Sequence, residues 1–307
     1  MPGACAAGSR GSGMPAKALM VAQVLDGRAI AERIRRQLAE DLRQAPAHPM
    51  LAILAFAGGT SEIYRKAQVA QARALGIQTQ DRVAAGTAAP GEVEAIILRW
   101  NADPAVHGIF VHQPMPPQID PQRISALIDP RKDIEGIHPQ NAARRFFAKA
   151  RIGSCTALAV MELVDEALRR SGQMLEGKEA VVIGHSEIVG RPVSMLLLDR
   201  LATTTVCHIG TDKAGRLEEH VRQADVLVVA VGKPQLIKGA WIKHGAIVID
   251  VGINVVNGRV VGDVEFEAAK SRAAFISPVP GGVGPVTVMM VMKNTLEAFK
   301  LQQSERV

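Results

Sequence analysis

From Val24 onward the chain alternates between two hydrophobic rhythms. In DGRAIAERIRRQLAEDL the residues Ile30, Ile34, Leu38 and Leu42 recur at every fourth position, which lines one face of a helix. LAILAFAG (51–58) is a continuous apolar run and predicts a buried strand; TSEIYRKAQVAQARALG predicts a helix that Gly76 ends. A helix near 91–100, the strand HGIFVH (107–112) and a helix over 156–170 follow. Further strands are predicted at EAVVIG, TTTVCH (203–208), ADVLVVAVG (224–232) and GAIVIDVGIN (245–254), with TVMMVMKNTLEAF (287–299) as a closing helix. Short apolar strands separated by helices belong in a mostly parallel sheet covered on both faces. The pattern therefore predicts the α/β class: two α/β units around a cleft, the first over 21–155 and the second over 156–286. The opening stretch 1–20, rich in small residues, is expected to be a disordered tail, with Met14 or Met20 as a candidate start.

Composition narrows the partners. Aromatic residues are 3% of the 307 positions, so the core must be built from Ala, Val, Ile and Leu, and base stacking on aromatic platforms is disfavoured. The formal charge of +6 comes from Lys and Arg spread along the chain, which suits anionic small molecules better than nucleic acid. Cys5, Cys155 and Cys207 are odd in number, far apart and without metal-ligand spacing. They read as reduced thiols of a cytoplasmic protein that holds no metal. No apolar run approaches the roughly 20 residues of a membrane span, so no membrane partner is expected.

Two loops carry candidate chemistry. AVVIG followed at once by HSEIVGRP has the spacing G-x-S-x-x-x-G-x-P. Gly184 permits a tight turn, Gly190 permits close backbone approach, and Pro192 can sit in a first helical turn. Backbone N–H groups and a helix dipole at such a turn can hold a pyrophosphate, which predicts a dinucleotide site on a doubly wound sheet. PVPGGVGPVTV (278–288) joins proline rigidity to exposed glycine backbone and reads as a ligand-facing wall. Elsewhere the one tyrosine, Tyr64, stands one helical turn before Gln68, on the same face.

Together, GKEAVVIGHSEIVGRP (177–192), GAIVIDVGIN (245–254), VVGDVEF (260–266), SPVPGGVGPVTV (277–288) and RKDIEGIHPQN (131–141) resemble the bifunctional methylenetetrahydrofolate dehydrogenase/cyclohydrolase family, FolD. The resemblance runs in order from about Val24 to Phe299. It implies a folate-binding catalytic first domain, a Rossmann-type second domain for NADP or sometimes NAD, and a final helix (287–300) that returns to the first domain. It also implies a homodimer that oxidises 5,10-methylenetetrahydrofolate to the methenyl compound and hydrolyses this to 10-formyltetrahydrofolate. By the same resemblance, Ser61, Tyr64, Val111, Gln113, Gly281, Gly282 and Pro285 would meet the folate. Gly184, His185, Ser186, Gly190, Arg191, Ile209, Gly232 and Ile253 would meet the cofactor.

The departures from the family pattern cluster on the folate side. Where the family has S-x-x-Y-x-x-x-K, with a lysine that drives water addition, this chain has Gln68. His112 stands at the glutamine that partners that lysine, Gln113 at an apolar position, Glu135 at the pterin-holding aspartate, and SCTA (154–157) at P-C-T-P. An amide cannot titrate as an amine does. Either the dehydrogenase remains and the cyclohydrolase is lost, or His112 has become the general base. A folate-binding paralogue without turnover and a dehydrogenase for another small substrate stand as further alternatives. NAARRFFAKAR (141–151) could meet a polyglutamate tail, but a solvated helix face is the preferred reading. At the cofactor, His185 and Ile209 occupy places where the family commonly has arginine for a 2′-phosphate, so NADP against NAD stays open, with Arg191 and Arg216 as possible substitutes.

Overall fold

A computed structural model describes residues 21–58, 62–147 and 150–304; the expected tail and Ser61 lie outside the described residues. The chain runs through β1 (Gln23–Val24), α1 (Gly27–Arg43), β2 (Met50–Phe56), α2 (Glu62–Ala74), β3 (Gln78–Ala84), α3 (Pro90–Ala102), β4 (Gly108–Val111), α4 (Pro121–Leu127) and α5 (Pro139–Phe146). Next come α6 (Cys155–Ser171), β5 (Glu179–Ile183), α7 (Gly190–Leu198), β6 (Thr203–Cys207), α8 (Ile209–Lys213), α9 (Leu217–Gln223) and β7 (Val226–Val229). The chain closes with β8 (Ile247–Asp250), β9 (Asn254–Val256), β10 (Arg259–Val261), α10 (Phe266–Lys270), β11 (Phe275–Ile276) and α11 (Val283–Ser304).

Three strands form a small parallel sheet in the order β3-β2-β4, and six form a larger one in the order β1-β11-β8-β7-β5-β6. From β5 the chain passes to β6 on one side and then returns to β7 on the other, so the strand order reverses at β5. The carboxyl end of β5 is thus a topological switch point, where open α/β sheets bind ligands. An antiparallel ribbon, β9–β10, turns through Asn257 and Gly258, both at positive φ.

One difference from the sequence reading concerns the first boundary. Gln23 and Val24 pair with Phe275 and Ile276 at the edge of the larger sheet, so this segment serves the second unit and the first begins at α1. Two residues are too few to show a periodicity. They earn the position by covering β11, whose edge would otherwise expose unpaired backbone groups.

Packing follows the alternation of side chains along each strand. Leu51, Ile53 and Phe110 of the small sheet share one core with Val182, Val228 and Ile249 of the large one, joined by the α1 stripe and by α6 and α11. The opposite face of the small sheet packs Leu54, Ile109 and Val111 on Val93, Ile97 and Trp100 of α3. The opposite face of the large sheet packs Val181, Leu227 and Val248 on Leu217 and Val221 of α9. α11 starts at Val283, four residues before the predicted 287, and runs against α6, α1 and α2.

Candidate active site

The helix α2 carries Tyr64, Gln68 and Gln71 on one face, and His112 directly follows β4. Tyr64 meets His112 edge-on, with ring centroids 5.9 Å apart and planes at 83°. His112 leans in turn on Phe110 at 4.9 Å. Gln68 is 0% exposed. Among the described residues, the Tyr64 hydroxyl, both amide atoms of Gln68, Gln71 Oε1 and His112 Nε2 are buried without a hydrogen-bond partner. An unsatisfied buried polar group costs about 1–3 kcal/mol, so five together suit a chamber that receives the polar edge of a ligand. Lys66 points away from it and pairs with Glu62 at 2.7 Å on the outer face.

Burial sets the protonation of this chamber. It lowers His112 to about 4, with the Arg65 guanidinium adding to the effect. It raises the Tyr64 phenol well above its ordinary value, helped by Cys155 and Glu135, while the nearby Thr287 hydroxyl opposes it without reaching hydrogen-bond geometry. Glu135, partly open at its surface, is raised to about 8 by desolvation first and by Asp133 second. The buried Cys155 thiol is also pushed up, by desolvation first.

The loop that presents Glu135 is built on Asp133, which accepts hydrogen bonds from Glu135 N (3.2 Å), His138 N (2.8 Å) and Asn141 Nδ2 (2.9 Å). From α11, Asn294 Nδ2 donates to the carbonyls of Ile134 at 2.7 Å and Gly153 at 2.8 Å. Tyr64, Gln68, His112 and Glu135 therefore gather at one place. Gln71, Cys155 and Thr287 join them, although sequence reasoning missed all three. Gln71 was detectable, being two helical turns from Tyr64; Cys155 and Thr287 reach the site only through tertiary packing.

Two expectations for the folate side change. Val111 is 2% exposed and its side chain enters the core beneath α3, on the sheet face opposite His112, so only its backbone can meet a ligand. Gln113, just beyond β4, is half-buried. The 281–285 wall is also split, because Val283, Gly284 and Pro285 form the first turn of α11. Gly281 has φ +106° and accepts a hydrogen bond from Gly27 N at 2.9 Å. A Cβ on Gly27 would lie 1.7 Å from the Gly282 carbonyl oxygen, so Gly282 is buried against the start of α1, whereas Gly281 and Pro285 keep partly open surfaces.

At the switch point, Gly184 has φ +120°, and a Cβ there would meet the Ala230 carbonyl at 2.3 Å. A Cβ on Gly190 would meet the Gly184 carbonyl at 2.1 Å. Both glycines are required by the tight strand-to-helix turn. Ser186 Oγ accepts from Val189 N (3.2 Å) and Gly190 N (3.4 Å), so it caps α7 and keeps its own proton for a ligand. Arg191 pairs with Glu187 at 3.5 Å on the surface. Gly232 adopts φ +65° over open space, and Ile209 and Ile253 are 52% and 69% exposed. This cradle, with its fixed glycines and outward apolar side chains, fits a dinucleotide.

Two buried carboxylates brace the cradle. Asp263 Oδ2 accepts from Val231 N at 2.8 Å and Gly232 N at 2.9 Å, and its Oδ1 from Asn254 Nδ2 at 2.8 Å. Asp250 accepts from the backbone N–H of Gly252, Asp263 and Val264 at 2.9–3.1 Å. A Cβ on Gly252 would lie 2.1 Å from the Asp263 carboxyl, and one on Gly262 would lie 2.0 Å from Asp250, so each carboxylate needs a glycine opposite it. Burial raises Asp250 to about 7 against the N–H groups that favour its anion.

Comparison with known proteins agrees with this architecture. Family models described as the tetrahydrofolate dehydrogenase/cyclohydrolase catalytic domain and NAD(P)-binding domain match residues 25–135 and 154–303. The bifunctional protein FolD 2 of Geobacter sulfurreducens is 45% identical over 290 residues, covering 92% of this chain and 99% of that protein. The Trypanosoma brucei methylenetetrahydrofolate dehydrogenase-cyclohydrolase, solved with NADP and an inhibitor, superposes with a TM-score of 0.86 at 39% identity, covering 94% and 99%. The Campylobacter jejuni FolD structure gives 0.84 at 37%, covering 91% and 99%. On the glycine turn, the shared core and the matched length alike, the chain belongs to the tetrahydrofolate dehydrogenase/cyclohydrolase family.

Proposed function

We propose that this chain oxidises 5,10-methylenetetrahydrofolate to the methenyl compound with NADP, and that it has largely lost the hydrolysis that follows. The dehydrogenase and the cofactor follow from the family. The loss of hydrolysis rests on one observation: Gln68 is fully buried beside Tyr64 and His112, with both amide atoms unpartnered.

In this reading the pterin lies against Tyr64, and its polar edge supplies partners for the buried atoms of Gln68 and Gln71. Glu135, raised to about 8, is largely protonated at neutral pH and donates a hydrogen bond instead of repelling electron-rich groups. A bound NADP would supply the acceptor for the hydride that the one-carbon bridge gives up. The protein aligns donor and acceptor: Gly281 and the first turn of α11 wall the folate, and Gly184, Ser186 and Gly232 hold the dinucleotide. No residue has to move a proton in this oxidation.

Hydration does need a proton acceptor. Gln68 cannot act as one, and a His112 whose imidazolium is disfavoured down to about pH 4 is a weak base. That favours the loss of hydrolysis over the reading in which His112 takes the lysine's place. We assign the enzyme to the cytoplasm as a homodimer supplying one-carbon units, as for purine biosynthesis; the reduced state assumed for Cys155 and Cys207 fits that compartment.

The test is two absorbance assays on the purified chain. Reduction of NADP with methylenetetrahydrofolate should be robust. Decay of methenyltetrahydrofolate should stay near its spontaneous rate and rise at least about tenfold in Gln68→Lys, since a positioned acid or base contributes ~10²–10⁴. Fast wild-type decay that His112→Gln abolishes would overturn the reading.

A further inference from the structure

At the rim of the cofactor cradle two imidazoles face one another. His185 follows the β5 turn glycine and His208 follows β6; their rings are 5.4 Å apart, tilted by 37°, and both are exposed. The carboxyl end of the second strand of a dinucleotide fold is where the adenosine ribose and any 2′-phosphate lie. The two rings are not equivalent. His208 Nδ1 accepts from Gly210 N at 3.1 Å, so its neutral form carries the proton on Nε2, and protonating Nδ1 would break that bond. His185 forms no hydrogen bond among the described residues, so its ring nitrogens are open to a ligand.

We propose that His185 and His208 together read the 2′-phosphate of NADP, His185 as a cation that takes up a proton on binding and His208 as a fixed neutral Nε2–H donor. Selectivity for NADP over NAD in this chain then depends on pH, as a site built on guanidinium would not. The inference rests on the NADP reading and deepens it.

The surrounding charges leave the role to the imidazoles. Glu187 and Arg191 in the turn after β5 pair at 3.5 Å. Asp212 of α8 pairs with Lys233 at 3.9 Å, and Arg216, before α9, with Glu219 at 3.2 Å. Lys213 of α8 forms no ion pair among the described residues and adds a constant cation. Cys207, at the end of β6, is buried, with its thiol pushed up by desolvation first. A paired cation is partly neutralised by its carboxylate, whereas an imidazole changes charge between about pH 5 and 8.

The test is equilibrium binding of NADP and NAD to the full chain by titration calorimetry at about pH 6.5 and 8.5, with the proton uptake measured in buffers of different ionisation enthalpy. NADP affinity should fall on raising the pH, by up to about tenfold per unit for one proton, while NAD affinity stays level. The phosphate itself has a pKa near 6 and becomes more anionic across this range, which alone would strengthen binding, so the sign identifies the protein group. His185→Gln should weaken NADP and remove the pH dependence. His208→Gln should weaken NADP at both pH values and keep the dependence. An unchanged NADP to NAD ratio, or a pH dependence that survives His185→Gln, overturns the proposal. If NADP binds and neither histidine variant weakens it, the histidine reader fails alone; if NADP does not bind at either pH, the NADP reading fails with it.

Discussion

His112 follows β4 and Gln68 belongs to α2, yet their unpartnered atoms share one chamber. The burial that keeps His112 neutral links that chamber to stability. Its folded value, about 4, lies below its ordinary 6.5, so its contribution is present above about 6.5 and is lost as the pH falls towards 4. Glu135 and Asp250 have the opposite sign: raised to about 8 and about 7, they give stability that is present below about 4 and lost as the pH rises through those values. His112→Gln should therefore flatten the acid limb of a urea-midpoint profile between about pH 6.5 and 4, by roughly 1–3 kcal/mol, and leave the alkaline limb in place. An acid limb as steep as wild type would rule this out. At this scale the chemistry was legible where helical spacing carried it: Tyr64 and Gln68 share a face, as i and i+4 require. It was illegible where a strand decides, since Val111 was expected at the folate although alternation from His112 turns its side chain to the other sheet face.

Among the elements, α11 joins both halves of the proposed folate site. Asn294 Nδ2 donates to two buried carbonyls, those of Ile134 and Gly153, the first of which also meets Cys155 Sγ at 3.5 Å. Asn294→Ala should cost about 2–4 kcal/mol in denaturant unfolding, because two buried acceptors lose their amide donor and only the weak Cys155 thiol remains at one of them, and it should weaken folate binding more than NADP binding. Equal loss of both ligands would place Asn294 in general packing instead. Apolar rhythm made the interior elements legible: the predicted stripe Ile30, Ile34, Leu38 and Leu42 is buried along α1, and β2, β4, β5 and β7 coincide with the apolar runs. Polar or very short elements escaped. β3 (QTQDRVA) is a mostly exposed edge strand, and β1 and β11 span two residues each. Their places are set by the partner strand and not by their own composition.

For the whole molecule, the two units share one hydrophobic core. Side chains from both sheets meet through α1, α6 and α11 in one cluster. Calorimetry should accordingly show a single unfolding transition, with calorimetric and van't Hoff enthalpies in agreement. Two resolved transitions would show that the units melt separately. The glycine turn, the parallel strands and the closing helix could be read from the sequence. The shared core could not, because which faces meet is decided by packing across more than 100 residues of separation, as between Asn294 and Gly153.

The interlocked pair Asp250 and Asp263 has a consequence for environments rich in electrolyte. Both carboxylates are held by backbone N–H groups and an asparagine amide, with no cation among their hydrogen-bond partners. Mobile ions weaken exposed pairs such as Arg36 with Glu32, but they cannot screen short dipolar contacts sealed from solvent. Raising the salt to about 1 M, where the screening length is ~3 Å, should leave amide exchange slow at Val231 and Gly232, and Asp263→Asn should quicken it in any buffer. The glycine cradle would then keep its shape through osmotic stress that loosens the protein's outer charge pairs.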